Sequence, residues 1–151
     1  MRCPLFRILA VDDDPDVLVL YKRLREGIGM AVDTAQNTSE ALRFLHSSCH
    51  RHYGALITDL EMPGLSGDSL ARVAKCDRNI TVLMVTAEPA DKANPRRVDH
   101  YFQKPLYGHT LDSFLTVLKD LREATQHSGE GPCTQGCCSR RLLGGLTPEH
   151  L

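Results

Sequence analysis

The feature that most constrains this chain is an alternation between two kinds of segment. Short apolar runs rich in β-branched residues alternate with segments whose apolar residues recur at helical spacing. Parallel strands need long crossover connections, usually helices, so this alternation indicates an α/β domain with a parallel sheet. The predicted strands are Leu5–Val11, Met30–Ala35, Ala55–Thr58, Thr81–Val85 and His100–Gln103.

Three segments between or after these runs have helical periodicity. The second predicted helix has Thr38 or Ser39 in position to cap its start. The last helix carries an apolar stripe that could pack on the sheet or bind a partner, and we favour packing because a parallel sheet is covered on both faces. The apolar residues of the three helices are Val17, Leu20, Tyr21 and Leu24, then Ala41, Leu42 and Leu45, then Leu111, Phe114, Leu115, Leu118 and Leu121.

The character of the sequence changes after the last helix. Residues 1–124 are predicted to form one domain, and residues 125–151 a Gly/Ser/Cys-rich tail that we expect to be disordered. The alternative for the tail is one turn of a docking helix around Leu142, Leu143 and Leu146, but Gly144 and Gly145 interrupt it.

Length and charge exclude several function classes. The 151 residues allow one domain with a core plus a short appendage. A net charge of −1 without a basic, aromatic-flanked run argues against nucleic-acid binding. The longest apolar runs, such as Val82–Val85, are too short to insert in a membrane. The amino terminus does not resemble a signal peptide, so a cytoplasmic location with free cysteine thiols is expected.

Polar residues follow four of the five predicted strands. Ligands bind beyond the carboxyl ends of parallel strands, where the side chains that terminate each strand converge. The expected cluster therefore contains three carboxylates, one hydroxyl and one ammonium group. These residues are Asp12 and Asp13 after the first strand, Asp59 after the third, Thr86 at the end of the fourth and Lys104 after the fifth.

Three carboxylates in one place require a counter-charge. Two unit charges 4 Å apart repel by about 4 kcal/mol at an effective dielectric constant near 20. An oxygen-only ligand set suits Mg²⁺, which would also neutralise an incoming phosphate. Asp59 stands alone and is the best candidate nucleophile, whereas the adjacent Asp12 and Asp13 suit metal binding. Thr86 could donate a hydrogen bond to a phosphate oxygen, and Lys104 could pair with another.

Each of these residues also has an ordinary structural interpretation. Asp14 or Asp16 could cap a helix, Asp59 could belong to a turn, and Thr86 could be a cap. A single lysine before proline is usually solvated. The prediction of a functional site therefore depends on the complementary set at successive strand ends, not on any one residue.

Four strings in order resemble the receiver domain of two-component response regulators. The resemblance covers Leu5 to about Arg122. It implies a flavodoxin-like three-layer αβα sandwich whose five-stranded parallel sheet has the order 2-1-3-4-5. The strings are Ile8-Leu9-Ala10-Val11-Asp12-Asp13-Asp14-Pro15, then Leu56 to Gly64 with Gly67, then Val85-Thr86-Ala87, then Lys104-Pro105-Leu106.

The resemblance implies a phosphoacceptor role. Asp59 would be phosphorylated by a sensor histidine kinase or a histidine phosphotransfer protein, and weak autophosphatase activity would follow. Mg²⁺ would be ligated by Asp13, Asp59 and the backbone carbonyl of Glu61, with Asp12 acting largely through water. A signal would pass to an unknown downstream protein through the domain surface or the tail.

The resemblance also implies a switch. Thr86 would move toward the phosphoryl group, and the ring of Tyr101 would turn inward behind it. Lys104-Pro105 matches the site of a cis peptide in the family. Because phosphorylation can act only through the difference in its contacts to two states, this is a population shift.

Two features depart from the family pattern. The stretch Ala87–Gln103 is short and contains Pro89 and Pro95, which predicts a truncated or irregular helix between the fourth and fifth strands. Homodimerisation is expected from the resemblance, but this change would alter the surface commonly used for it. Glu61 places an acidic group near the entrance, and we hypothesise that it slows attack by water or small phosphodonors.

Alternative functions remain open. Asp12 and Asp14 have the DxD spacing of haloacid-dehalogenase-type phosphatases, but the further acidic pair of those enzymes has no match at a strand end. A pseudo-receiver scaffold that acts without phosphorylation is the other alternative. Cys133, Cys137 and Cys138, with His127, lack the spacing of a paired CxxC zinc site. A loose group of histidines and Cys49 near His46 is better explained as a helix carboxyl terminus.

Overall fold

The computed structural model describes residues 6–28, 30–46, 53–78 and 80–127. Strands and helices alternate along this part of the chain, as the sequence pattern predicts. The strands are β1 (Arg7–Val11), β2 (Ala31–Ala35), β3 (Ala55–Thr58), β4 (Thr81–Thr86) and β5 (His100–Gln103). The helices are α1 (Pro15–Ile28), α2 (Thr38–Leu45), α3 (Gly67–Arg78) and α4 (Gly108–His127).

The five strands form one parallel sheet in the order β2-β1-β3-β4-β5, which confirms the order that the resemblance implied. The register matters most in the centre of the sheet. Val11, the last residue of β1, lies opposite Thr58, the last residue of β3. The residues that follow these two strands therefore begin at the same level at the carboxyl edge.

Apolar residues fill both faces of the sheet. On one face, Ile8 and Ala10 belong to a cluster with residues of α1 and α4. On the other, Leu9 and Val11 belong to a cluster with residues of α2 and α3. Successive side chains of a strand point to opposite faces, so a continuous apolar run is required where both faces are covered.

The apolar stripe of the last helix packs in the core. Phe114 and Leu118 are fully buried, and Phe114 meets Phe102 edge to face with ring centroids 5.4 Å apart. Burying each large side chain contributes about 1.5–3 kcal/mol. Core packing is therefore confirmed over a partner-binding role for this stripe. The helix runs to His127, beyond Ala124, where the sequence predicted the end of the domain.

The predicted cap of α2 was wrong. Asn37 is the N-cap: its backbone is extended, with φ −154° and ψ 170°, and its side-chain oxygen accepts a hydrogen bond from the amide of Glu40 at 2.8 Å. An N-cap must lie outside the helix with its side chain turned back over the first turn. Thr38 is already helical, and its hydroxyl instead donates to the carbonyl of Leu65 at 2.7 Å.

The connection between β4 and β5 contains a single three-residue 3-10 helix, Ala90–Lys92, in place of an α-helix. This agrees with the truncated or irregular helix predicted from Pro89 and Pro95. Pro89 itself precedes the turn with ψ 154°, an extended conformation.

Several expectations lie outside the described residues. They concern the tail beyond residue 127 and the histidines after His46. His46 itself follows α2, where its amide donates to the carbonyl of Leu42 at 3.0 Å. Among the helices of the described ranges, none is both long and apolar enough to span a membrane.

Candidate phosphoacceptor and metal site

The two central strands position the acidic residues of the site. The amide of Asp12 donates to the carbonyl of Ala35 at 3.1 Å, and the amide of Asp59 donates to the carbonyl of Val11 at 3.3 Å. Each bond continues the pairing of the sheet one residue beyond the strand. Asp12 and Asp59 are therefore attached to the rigid core, and both are buried.

Asp12, Asp13 and Asp59 form one carboxylate cluster. One oxygen from each lies within 4.8 Å of the others, with Asp13 exposed and the other two buried. Asp14, the next residue, does not join them: it caps α1, because its side chain accepts a hydrogen bond from the amide of Asp16 at 3.0 Å. The ordinary helix-cap interpretation is thus correct for Asp14, whereas Asp12 and Asp13 belong to the cluster.

Lys104 crosses from the edge strand into this cluster. Its Nζ lies 2.7 Å from Oδ2 of Asp12 and 2.7 Å from Oδ2 of Asp59. Its amide donates to the carbonyl of Thr86 at 2.9 Å, and the peptide bond to Pro105 is cis, as the resemblance implied. One ammonium group thus bridges the two buried carboxylates.

Burial and ion pairing oppose each other at these groups. Burial raises the pKa of Asp12, although the hydrogen bonds from Lys104 and from the amide of Asp14 partly counter this effect. At Lys104 burial favours the neutral amine, but hydrogen bonds and attraction to Asp12 and Asp59 prevail and raise its pKa. The leading cause of the raised Asp12 pKa is burial, and repulsion by Asp59 is the smallest contribution.

The carboxylate cluster fits a hard cation. Its ligand atoms are all oxygens, as Mg²⁺ prefers. Oδ2 of Asp12 is buried and, apart from the Lys104 ion pair, has no hydrogen-bond donor among the described residues. The exposure of Asp13 leaves one side of the cluster accessible to water. These observations support the donor set that was predicted for Mg²⁺.

Thr86 and Tyr101 meet through a shared neighbour. Thr86 is buried at the end of β4, and its Oγ1 accepts a hydrogen bond from the amide of Glu88 at 3.2 Å. The hydroxyl of Tyr101 donates to the carbonyl of the same Glu88. The backbone of Glu88 therefore joins the two residues that the sequence paired as a switch.

The loop after β3 carries the remaining predicted residue. The amide of Glu61 donates to Oδ1 of Asp59 at 3.3 Å, while the Glu61 side chain is exposed. Thr58, which sequence reasoning did not single out, is buried and donates from its hydroxyl to the carbonyl of Asp59 at 2.9 Å. Its position as the last strand residue before an acidic group was the only signal available.

Gly67 is a second residue whose role the sequence did not reveal. A Cβ at this position would lie 1.8 Å from the carbonyl oxygen of Asp59, far inside van der Waals contact. The amide of Gly67 donates to the carbonyl of Leu60 at 2.9 Å. The start of α3 is thus packed directly against the backbone of Asp59, and only glycine permits this approach.

Comparison with known proteins decides the family. Residues 8–114 match the model of the response regulator receiver domain. The chain belongs to this family. This receiver domain is also 33% identical over 113 residues to the chemotaxis protein CheY of Pseudomonas aeruginosa, a match that covers 70% of the chain and 89% of CheY.

Solved structures agree with this assignment. The response regulator TrrA of Thermotoga maritima in complex with Mg²⁺ and BeF is 30% identical, with a TM-score of 0.65, and the match covers 78% of the receiver and 99% of TrrA. TrrA in complex with the histidine kinase ThkA is 31% identical, with a TM-score of 0.65 and coverage of 78% and 98%.

Other relatives are much longer than this chain. The match takes up 19% of the rice two-component response regulator ORR21 and 5% of the peroxide stress-activated histidine kinase mak3 of Schizosaccharomyces pombe. The receiver thus spans a small part of these relatives.

Proposed function

We propose that this receiver accepts a phosphoryl group on Asp59 and signals through a phosphorylation-dependent change of its surface. The observation that carries the proposal is the bridging position of Lys104, 2.7 Å from both Asp12 and Asp59. A cation held between a candidate nucleophile and a candidate metal ligand can attract a dianionic phosphoryl group to one carboxylate oxygen. The other oxygen of Asp59 accepts the amide of Glu61, which limits rotation of the nucleophile.

The residues that would hold Mg²⁺ are Asp12, Asp13, Asp59 and the backbone carbonyl of Glu61. When bound, the ion neutralises charge on the incoming phosphate and on the carboxylates. Asp12 contributes a buried oxygen with unused hydrogen-bonding capacity, and Asp13 contributes an exposed one. Asp12 is bonded to the carbonyl of Ala35 directly after β1, so the sheet fixes its position before any ligand arrives, and Asp13 is the next residue.

Thr86 and Tyr101 act as the switch in this proposal. The hydroxyl of Thr86 accepts from the Glu88 amide, which leaves its proton free to be donated to a phosphoryl oxygen. Movement of Thr86 would shift the Glu88 backbone, to which the Tyr101 hydroxyl is bonded. The change at Asp59 is thereby carried to the β4–β5 surface, and two or three charge-assisted contacts supply the bias.

The proposed phosphodonor is a sensor histidine kinase or a histidine phosphotransfer protein, consistent with the ThkA complex of TrrA. The receptor of the signal is another protein in the cytoplasm, reached through the domain surface or the tail, and homodimerisation would use a surface altered between β4 and β5. The domain is a signalling module without nucleic-acid binding of its own, and it hydrolyses its phosphoaspartate slowly.

The test is phosphorylation of the purified full chain with Mg²⁺ and acetyl phosphate. Mass spectrometry should detect one added phosphoryl group that is lost in alkali, and peptide mapping should locate it at Asp59. Asp59→Asn should abolish the adduct, whereas Asp112→Asn, an exposed carboxylate on α4, should not change it. An adduct that persists in Asp59→Asn, or no adduct with this donor and with candidate kinases, would favour the pseudo-receiver scaffold.

A further inference from the structure

An ion pair joins two segments that meet at the site from opposite sides. Arg97 lies in the irregular connection between β4 and β5, and Asp68 lies in the first turn of α3. Nη1 of Arg97 donates to Oδ2 of Asp68 at 2.5 Å. The side chains are only 33% and 28% exposed, so solvent screens the pair less than a fully exposed one.

Asp68 has a strong requirement for this partner. Its second oxygen, Oδ1, is buried and receives no hydrogen bond from the described residues. The amino terminus of α3 favours a negative charge, but a half-buried carboxylate still needs a hydrogen-bond donor. Arg97 supplies both a donor and a positive charge.

Asp68 is linked through the backbone of its neighbour Gly67 to the candidate phosphoacceptor Asp59. Asp68 follows Gly67, whose Cα packs against the backbone carbonyl of Asp59. The amide of Gly67 is bonded to the carbonyl of Leu60, the residue after Asp59. A shift of the first turn of α3 must therefore move the backbone of Asp59.

The Arg97 end belongs to the segment that leaves β4 at Thr86. This segment has little regular structure of its own, so contacts to the rest of the domain determine its position. Asp99 attaches the segment to β4 again. Its amide donates to the carbonyl of Val82 at 2.9 Å, and its carboxylate accepts from the amide of Val82 at 2.8 Å. Asp99 also pairs with Lys75 of α3.

We infer that Arg97 is a positioning residue for Asp59, acting through Asp68. The inference rests on the proposed function, since it concerns the position of the nucleophile Asp59 relative to the segment that follows Thr86. The ion pair holds the first turn of α3 against the segment after Thr86. A phosphoryl group on Asp59 then lies within reach of Thr86. Without Arg97, Asp68 turns to solvent, and the first turn of α3 loses its direct bond to this segment.

The experiment measures binding of beryllofluoride, a mimic of the phosphoryl group, to the full chain in Mg²⁺ by calorimetry. Arg97→Met and Asp68→Asn should each weaken binding about fivefold, a typical coupling for groups in contact. The double variant should be no weaker than either single one, and Arg97→Lys should recover most of the affinity. Arg7→Met, which removes the 3.1 Å pair with Asp33 away from the site, serves as the matched control and should bind like wild type.

The outcomes separate the inference from the function on which it rests. If wild type does not bind beryllofluoride, or Asp59→Asn still binds it, both fail. If wild type binds and Arg97→Met agrees with it within about twofold, or if the single effects multiply in the double variant, only the positioning role is overturned. Circular dichroism checks the fold of each variant. If Arg97→Met does not fold, the two single variants Asp68→Asn and Arg97→Lys provide the test instead.

Discussion

The two sides of the site are held in different ways. Asp12 and Asp59 extend the central strands and lie in the hydrogen-bonded sheet. The segment after Thr86 lacks an α-helix and is positioned by individual contacts, among them Arg97 with Asp68 and Lys92 with Glu88. One side is therefore set by the core, and the other by side chains that can separate at low cost. A switch needs both kinds of region: a fixed site that holds the ligand, and an element that changes between two conformations when the ligand binds.

If the sheet holds the Asp59 side rigidly, Gly67→Ala should have the largest effect on stability. A Cβ at this position would overlap the Asp59 carbonyl, so the start of α3 or the loop must move. We expect a loss of about 3 kcal/mol, the upper range for overpacking. Urea unfolding measures the loss, and Mg²⁺ titration should show weaker binding.

Gly64→Ala is the matched control for that variant. Gly64 has φ +84° but open space around it, so the change introduces backbone strain of about 1–2 kcal/mol without a clash. Its Mg²⁺ affinity should stay near wild type. Equal losses of Mg²⁺ affinity in both variants would contradict the rigid-side interpretation.

Lys104→Met tests the ion pair on the fixed side of the site, and its effect is to be compared with that of Lys92→Met on the irregular side. Removing the ammonium group leaves Asp12 and Asp59 without their shared counter-charge, and we expect metal-free stability to fall by about 2 kcal/mol. Mg²⁺ should restore more stability to this variant than to wild type, because it replaces the missing positive charge.

Lys92→Met breaks the exposed pair with Glu88 in the irregular segment. Exposed pairs contribute at most about 1 kcal/mol, so a change below about 0.5 kcal/mol is expected in thermal or urea unfolding. A loss equal to that of Lys104→Met would remove the distinction between the two sides.

Asp12→Asn should stabilise the metal-free protein and weaken Mg²⁺ binding. The pKa of Asp12 is raised by burial, so folding favours the neutral form of this side chain. Asparagine keeps the oxygen that accepts the Asp14 amide and removes the buried charge. Unfolding in urea with a chelator, and calorimetry with Mg²⁺, measure the two effects.

The same pKa shift fixes the sign of a pH dependence. Because the folded pKa of Asp12 lies above its unfolded value of 3.8, the folded state binds more protons between the two. The Asp12 contribution to stability therefore rises as pH falls through the folded pKa and is complete below the unfolded one. Wild type should gain stability relative to Asp12→Asn on acidification; a constant difference between them would contradict the shift.

Pro89→Ala in the irregular segment should also have only a small effect on stability. The proline has φ −63° and ψ 154°, which alanine adopts without strain, and its carbonyl still accepts the Lys92 amide. Greater freedom of the unfolded chain should cost about 0.5 kcal/mol. A gain in helical circular dichroism would show that the proline alone prevents a helix here.

Much of this architecture was predictable from local patterns. The bounds of β3 and β5 were predicted to the residue. For β3 the reason is a short apolar run that is buried on both faces of the sheet and is followed by a polar residue. The cap of α2 was not, since Asn37, Thr38 and Ser39 are all suitable cap residues and only the backbone decides among them.

The sequence by itself determined which groups gather at the carboxyl edge, because parallel strands must end on one side of the sheet. Asp12, Asp59, Thr86 and Lys104 follow from that rule. Only the tertiary structure decided that Lys104 bridges two carboxylates, that Gly67 touches Asp59 and that Arg97 reaches Asp68. These contacts join residues distant in the chain, and the packing of helices and loops, which no local pattern encodes, sets their distances.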